Sequence, residues 1–292
     1  MMGLDGLLIV DKPAGMTSAD VVRIIKRRVG NKTGHLGTLD PFASGVLPVC
    51  VGEGTKIAQF LNFAGKEYTG MIGLGQETDT GDPTGTVTVT APVPDITPER
   101  LTETARQFHG ELVQTPPMYS AIKHHGTPLY KLARQGIAIE RQPRRVQIDD
   151  LHLSRHSDSA IAFTVSCSKG TYIRVLAQQI GTSLGTVACL QALRRTKFGP
   201  FGLDQAITLD ALDRTELPLL GLRQALPQLR EIRIDAAAAQ QARQGYEPVL
   251  GSIASGERDE AVKLVGPDDE LAAVVIADRF GRWRFGRVFA RR

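Results

Sequence analysis

Apolar residues along this chain change their period often, and each change marks a predicted element. Leu7-Leu8-Ile9-Val10 is a short continuous apolar run between Asp5 and Asp11, which predicts a buried strand and then a turn from Asp11 to Met16. Thr17 or Ser18 caps a helix that carries Val21, Val22, Ile24, Ile25 and Val29 inward, and Gly30 stops it. Its other face holds Arg23, Lys26, Arg27 and Arg28, which reads equally as a solvated face or as an RNA-backbone contact. Val46 to Val51 is again continuously apolar, whereas Tyr68, Gly70, Ile72 and Leu74 recur at the two-residue period of a strand. A polar Asp/Thr/Gly loop over 78–85 precedes a short β segment at 86–90. Thr97-Pro98-Glu99 starts a helix predicted to run to about Gly110, with a cap, a proline in the first turn and an acid beside it. Residues 146–153 and 161–167 alternate and predict paired strands. Ile173, Leu176, Ile180 and Leu184 form a helical stripe that ends at Gly185. Strands and helices intermix without regular βα alternation, so the predicted class is α+β.

The stretch from Pro218 to Pro227 is a plausible boundary. Beyond it lie a strand-like Ile232-Arg233-Ile234, an alanine-rich helix from Asp235 to Gln244, and short strands. Two units are therefore expected, 1–228 and a small β-rich unit over 229–292. Composition adds limits. The chain has 292 residues, 42% hydrophobic and 23% charged, which is ordinary for a globular protein with a sizeable core. A net charge of +4 and a pI near 9.0 allow a nucleic-acid partner without requiring one. Cys50, Cys167 and Cys189 are far apart, with no Cys-x-x-Cys and no Cys/His ligand spacing. Buried reduced thiols in a reducing compartment are expected, with no metal. No glycine-rich phosphate loop precedes a helix, so no cofactor is expected either. The 7–10 run is too short for a signal peptide and nothing approaches transmembrane length, so the expected setting is the cytoplasm, away from membranes.

The densest chemical signal is Gly34-His35-Leu36-Gly37-Thr38-Leu39-Asp40-Pro41-Phe42-Ala43-Ser44-Gly45. Asp-Pro alone commonly starts a turn. Here it presents one carboxylate between glycines, where a loop feeds the apolar 46–51 run. Ser168-Lys169-Gly170-Thr171-Tyr172-Ile173-Arg174 reads as a strand-to-helix turn with an arginine in the first helical turn. The helix dipole disfavours a cation there, so Arg174 needs a partner, and a buried carboxylate is a natural one. From Ala121 to Arg145 the chain carries Lys123, Lys131, Arg134, Arg141, Arg144 and Arg145 against the single acid Glu140, with Tyr130, His124 and His125 interleaved. Basic residues with rings suit unstacked RNA; a solvated helix is the plainer alternative.

The Gly-His-x-Gly-x-Leu-Asp-Pro-x-x-x-Gly pattern resembles the catalytic loop of the TruB family, the tRNA pseudouridine-55 synthases. The resemblance extends over most of residues 5–215, through Lys66-Glu67-Tyr68, Met118-Tyr119-Ser120-Ala121-Ile122-Lys123, Lys169-Gly170-Thr171-Tyr172-Ile173-Arg174 and Ala192-Leu193-Arg194-Arg195. It implies a catalytic domain of pseudouridine synthase type, a mixed and mainly antiparallel sheet, followed by a small PUA-like RNA-binding domain. For that last domain the chain's own signal is Arg279, Arg282, Trp283, Arg284, Arg287, Arg291 and Arg292. Carried over by position, the resemblance implies Asp40 as the nucleophile (with attack at C1′, attack at uracil C6 and a glycal route, in which it is a base on the sugar, left open), Arg174 as its partner, and Tyr68 as a stacking platform and candidate base. It implies Tyr172 and Leu193 as walls of the uracil pocket, His35 as a wedge for the gap left by an extruded base, and Lys123 and Arg134 within an RNA-clamping insertion over about 121–145. Lys12-Pro13 would support the site without a catalytic role. Leu36 stands where a threonine is common in the family, a change expected to tune loop packing.

The implied activity is isomerisation of uridine 55 in the tRNA T-loop by base flipping, N-glycosidic cleavage and C–C rejoining, without cofactor. The rival reading is a non-catalytic tRNA-binding or folding protein that uses the same surface. A second rival is a guide-dependent enzyme of the same chemistry; that branch carries a fuller PUA domain and charged extensions, so a guide-free enzyme, by default a monomer, is expected.

Overall fold

The structure, a computed structural model, describes residues 4–61, 65–212 and 216–290. Its centre is a ten-stranded mixed sheet. The main path runs Ile207–Thr208, Gly6–Lys12, Ser44–Val51, Ala188–Phe198, Lys66–Leu74, Ala160–Cys167, Arg144–Ser157 and Gly110–Gln114. Thr33–His35 adds to Ser44–Val51, and Phe201–Gly202 adds to Ala188–Phe198. Pairing along the path is antiparallel except at two short joins, Gly6–Lys12 with Ile207–Thr208 and Ser44–Val51 with Ala188–Phe198. The second join holds over only two registered positions, Arg194 opposite Ser44 and Arg195 opposite Gly45. The loop that carries Asp40 lies immediately before it.

Both faces of this sheet are covered, which explains why several strands read as continuous apolar runs. Leu8 and Val10 join Val49, Ile72 and Val165 against three helices, Ser18–Val29, Pro98–Gln107 and Ile173–Leu184. The last helix buries Ile173, Leu176, Ile180 and Leu184, each contributing roughly 1.5–3 kcal/mol. Leu7, Ile9, Val46 and Cys50 face the other way and pack with Phe198, Leu271, Val274 and Phe289. This second cluster fuses the sheet to the C-terminal unit. That unit is a four-stranded sheet, Arg230–Arg233, Ala261–Val265, Leu271–Ala277 and Trp283–Val288, with helix Ala236–Arg243 capped by Asp235.

Local signals explain most boundaries. Thr17 is the cap of the first helix and forms a capping box with Asp20, and Gly30 ends the helix in the left-handed region. Gly185 ends Ile173–Leu184 in the same way. Three expectations need correction. Ile24 is 36% exposed, because Val21 and Ile25 define the buried line and a residue one step away is rotated by about 100°. The second helix stops at Gln107 instead of near Gly110, because Gly110, at a φ of 97°, already begins the sheet's edge strand. Asp11 and Lys12, read as turn, continue the first strand. Within 121–145, a two-by-two residue hairpin, Lys123–His124 with Thr127–Pro128, leads into the short helix Leu129–Ala133. Arg144 and Arg145 belong to the long strand Arg144–Ser157.

Candidate active site

The Asp40 loop is held from below by the amino-terminal turn. Lys12 is fully buried, and its Nζ donates to the carbonyls of Pro13 (2.9 Å), Met16 (2.5 Å) and Pro41 (3.3 Å). The Gly15 amide donates to the Pro41 carbonyl at 2.8 Å. Ser18 Oγ accepts from the Leu39 amide and donates to the Leu39 carbonyl, each at 2.9 Å. Burial lowers the Lys12 pKa to about 8, partly offset by Asp40. The motif glycines have a steric cause. Gly45 has a φ of 104°, and a Cβ there would lie 2.1 Å from the Arg195 carbonyl oxygen. Gly37 has a φ of 61°, and its Cβ would lie 2.7 Å from the Phe198 ring. Both let Ala188–Phe198 approach the loop closely.

Asp40 faces Arg174 across this join. Arg174 Nε lies 3.0 Å from Asp40 Oδ2, and Nη2 donates to Oδ1 at 3.4 Å. The Arg174 side chain is only 6% exposed. Its Nη2 also donates to the Tyr119 carbonyl at 2.6 Å and Nη1 to the Thr80 carbonyl at 2.8 Å. Nη1 lies 3.4 Å from Asp82 Oδ2. Asp82 is itself fixed by the Thr80 and Thr84 hydroxyls and the Thr84 amide. Two carboxylates and two carbonyls thus answer the cation that the helix dipole disfavours. Burial pushes the Asp40 carboxyl above its usual range; Arg174 and Lys12 pull it down, and Asp82 pushes it up. The Arg174 guanidinium at 3.0 Å favours the ionised carboxylate and so opposes the effect of burial.

Asp40 and Arg174 line a cavity of about 370 Å³ with Tyr68, Tyr172, Ile173 and Leu193. Five residues singled out from sequence, Asp40, Tyr68, Tyr172, Arg174 and Leu193, therefore meet in one place. Burial raises the Tyr68 and Tyr172 phenols above their usual values. His35 ends the short strand before the loop and does not line the cavity. Burial, with the Arg195 charge behind it, lowers its pKa, so the ring is neutral at neutral pH. Lys123 is exposed, one residue beyond the cavity-lining Ile122, and Arg134 stacks over Tyr130 at 5.7 Å, outside the cavity. Leu36 packs in the apolar cluster shared with the C-terminal unit.

Sequence reasoning missed three charged residues here. Asp82 was read as part of a polar loop; its Asp-Pro-Thr setting was the available signal. Lys66 and Arg195 sit inside quoted motifs, yet only Tyr68 and Leu193 were singled out there; both cations line the cavity. Among the described residues, no group of three or more His, Cys, Asp or Glu side chains is placed to hold a metal ion, and no helix is long and apolar enough to cross a membrane.

A mixed, mainly antiparallel sheet with a strand-rich C-terminal unit is the fold of the Cbf5/TruB-type pseudouridine synthases. The chain matches a chain in a crystal structure of a Cbf5–Nop10–Gar1 complex with a TM-score of 0.75 and 28% identity, over 98% of this chain and 85% of that one. The chain belongs to the TruB family of pseudouridylate synthases: the model of the family's N-terminal domain matches residues 23–173, and the model of the tRNA pseudouridylate synthase B C-terminal domain matches residues 174–219. It is 43% identical to the tRNA pseudouridine synthase B of Geotalea uraniireducens (strain Rf4), over 96% of this chain and 94% of that protein. It is 48% identical to the tRNA pseudouridine synthase B of Bordetella avium (strain 197N), over 75% of this chain and 91% of that protein.

Proposed function

We propose that this chain isomerises uridine 55 in the T-loop of tRNA to pseudouridine. The observation that carries the reading is the Asp40–Arg174 pair at 3.0 Å inside a cavity walled by Tyr68, Tyr172 and Leu193. Such a cavity presents one reactive carboxylate beside rings and aliphatic surface, which suits a nucleoside. Its volume lies in the range of small-molecule sites.

A T-loop uridine must leave its stack to enter, at a cost of a few kcal/mol. His35, neutral and half-buried, serves as the wedge that fills the gap. Lys123 and Arg134 supply phosphate contacts that offset the cost. Tyr68 and Tyr172 hold the uracil and Leu193 closes the wall. Asp40 is the nucleophile and Arg174 keeps it ionised and aimed. Asp40 bonds to C1′ as the C1′–N1 bond breaks; the base turns, C5 displaces the carboxylate from C1′, and the C5 proton leaves as N1 gains one. Atoms balance without redox change or net hydrolysis, so the reading needs no cofactor.

Residues 1–228 form the catalytic unit in this reading, and 229–292 form a PUA-like unit that packs against it through the shared apolar cluster. A guide-free enzyme is favoured because relatives named tRNA pseudouridine synthase B reach 41–48% identity, against 28% for the Cbf5 complex. We place the enzyme in the cytoplasm, as a monomer. The test is tritium release from an unmodified tRNA transcript labelled at uracil C5, without cofactor, beside Asp40→Asn. Release at one T-loop uridine, lost in the variant, supports the reading. Tight tRNA binding without release favours a binding protein or a guide-dependent enzyme.

A further inference from the structure

Charge in the cavity is distributed unevenly. Near Asp40 and Asp82 stand Arg174 and Lys12, two acids against two cations. Lys66 and Arg195 also line the cavity, and neither has an acidic partner among the described residues. Arg195 is fully buried; it donates to the Val46 and Gly37 carbonyls at 2.7 Å each, and its Nη1 is buried without an acceptor. Lys66 extends over the Phe198 ring, Nζ 5.2 Å from its centroid, and its ammonium has no hydrogen-bond acceptor among the described residues. Arg195 is buried with the Tyr68 hydroxyl facing its charge, and Lys66 is half-buried, so two cations without a carboxylate partner line the cavity and favour an anion beside them.

The proposed reaction supplies that anion transiently. When C1′–N1 breaks, the electron pair goes to N1 and spreads to the uracil O2 and O4. Positive charge develops at C1′, beside Asp40. We infer that Lys66 contacts the departing uracil and stabilises its negative charge, with Arg195 as the positioning residue behind it. The inference rests on the proposed uridine isomerisation. In this arrangement the cavity field matches the reaction: carboxylate at the ribose, excess positive charge at the base, fixed before the bond breaks. When C5 attacks C1′, the ring's negative charge is consumed and Asp40 is released as a carboxylate; the C5 proton then leaves as N1 takes one up, so the ring stays neutral and Lys66 returns to its unpaired state.

The titration of Lys66 gives a readout that a structural role would not move. Burial lowers its pKa to about 8, with the Arg195 and Lys169 charges adding to the effect and the Cys167 thiol opposing it. Glu67, the neighbouring acid, is engaged by Thr196 and Lys197. The charged form of Lys66 is the working form, so the rate falls as pH rises through about 8.

Single-turnover tritium release and tRNA Kd would be measured across pH 6–10 for the wild-type chain, Lys66→Met and Lys66→Arg, with thermal unfolding as a fold check. Loss of one preorganised donor to a developing anion costs about 10²–10³ in rate. Lys66→Met should show that loss with Kd within about threefold, whereas Lys66→Arg should recover most of the rate and lose the fall above pH 8. A folded Lys66→Met within twofold of wild type would overturn the inference. So would a wild-type rate that climbs through pH 8 with no rescue by arginine, which would make Lys66 a base. An inactive wild-type chain would instead defeat the proposed isomerisation itself.

Discussion

Arg174 Nη1 lies 3.4 Å from Asp82 Oδ2, while the Nε/Nη2 edge of the same guanidinium faces Asp40. One planar cation is therefore gripped at two edges, and rotation that would turn it from Asp40 breaks the Asp82 contact and the Thr80 and Tyr119 carbonyl bonds. Asp82 never needs to touch a substrate to matter. Asp82→Asn keeps a hydrogen-bond acceptor but removes the charge and loosens the grip. A displacement on the scale of 1 Å can cost about 10²-fold in rate. We expect a 10- to 100-fold lower kcat with tRNA affinity within about threefold. Arg174→Lys should do worse, because one ammonium cannot bridge both carboxylates. Single-turnover rates beside filter-binding Kd values check both.

Asp40 carries a stability cost that follows from its burial. Its carboxyl is raised by burial, so its ionised form is less favourable in the folded chain than in the unfolded one. For a raised acid, the linked stability is fully present below the unfolded pKa and is lost as pH climbs through the folded value. At neutral pH the native site is therefore paying that cost. Asp40→Asn should abolish turnover, keep RNA binding, and leave Tm unchanged or higher. If Asp40 is the nucleophile as proposed, the rate of the wild-type chain should fall on acidification at a pKa above the ordinary 3.8. A Tm drop in Asp40→Asn, or an acid limb below the ordinary value, would contradict this account.

Lys12 behaves as a clamp. Its folded pKa is about 8 against 10.5 in the unfolded chain, so between those values the unfolded state holds the extra proton and stability rises with pH. Lys12→Met strands the Pro13, Met16 and Pro41 carbonyls, and one unsatisfied buried group costs about 1–3 kcal/mol. The variant should lose roughly 2 kcal/mol or more at pH 7 and show no rise from that group between pH 8 and 10.5. Urea unfolding at several pH values separates the two effects.

Much of this was legible in the sequence, for reasons that differ by element. The strand at 7–10 and the helix stripe of Ile173, Leu176, Ile180 and Leu184 declared themselves because local period matched tertiary burial. Asp40 and Arg174 stood out because one sits between glycines and the other opposes a helix dipole. Ile24 misled because an apolar residue on a helix says nothing by itself about which side meets the core. Asp82, Lys66 and Arg195 were hidden for a different reason. Their importance lies in what stands near them from distant parts of the chain, Arg174 beside Asp82 and Arg195 beside Lys66, and short motifs do not record such neighbours. The shared cluster of Leu7, Cys50, Val274 and Phe289 was equally silent, since each residue reads as ordinary core of its own unit.

Lys123 and Arg134 lie outside the cavity, and an effect confined to binding distinguishes them from the residues within it. If each contacts one phosphate, Lys123→Ala and Arg134→Ala should each weaken tRNA binding and reduce the slope of log K against log salt by about 0.7–0.9. Single-turnover rates at saturating enzyme should stay near wild type. A rate loss that persists at saturation would assign either residue to the chemistry instead.

Gly45 offers the sharpest structural test, because it ties the topology to the site. The two-position join between Ser44–Val51 and Ala188–Phe198 is where Asp40's loop enters the sheet, and Gly45 sits opposite Arg195 in that register. A methyl group there meets the Arg195 carbonyl oxygen at 2.1 Å and its amide nitrogen at 2.8 Å, at a φ of 104° that side chains rarely adopt. Backbone cannot yield as a flexible side chain can. Gly45→Ala must push the strands apart, and that shift moves Arg195, Gly37 and the Asp40 loop together. We expect a loss of more than about 3 kcal/mol, beyond what ordinary surface changes produce, with activity lost even below the variant's Tm. Gly30→Ala is the matched control: it also has a positive φ but nothing within 4 Å of the added carbon. It should cost only the backbone strain, about 1 kcal/mol, and leave turnover intact. Chemical denaturation and tritium release on the two variants measure the difference, and equal behaviour would show that the join does not hold the site.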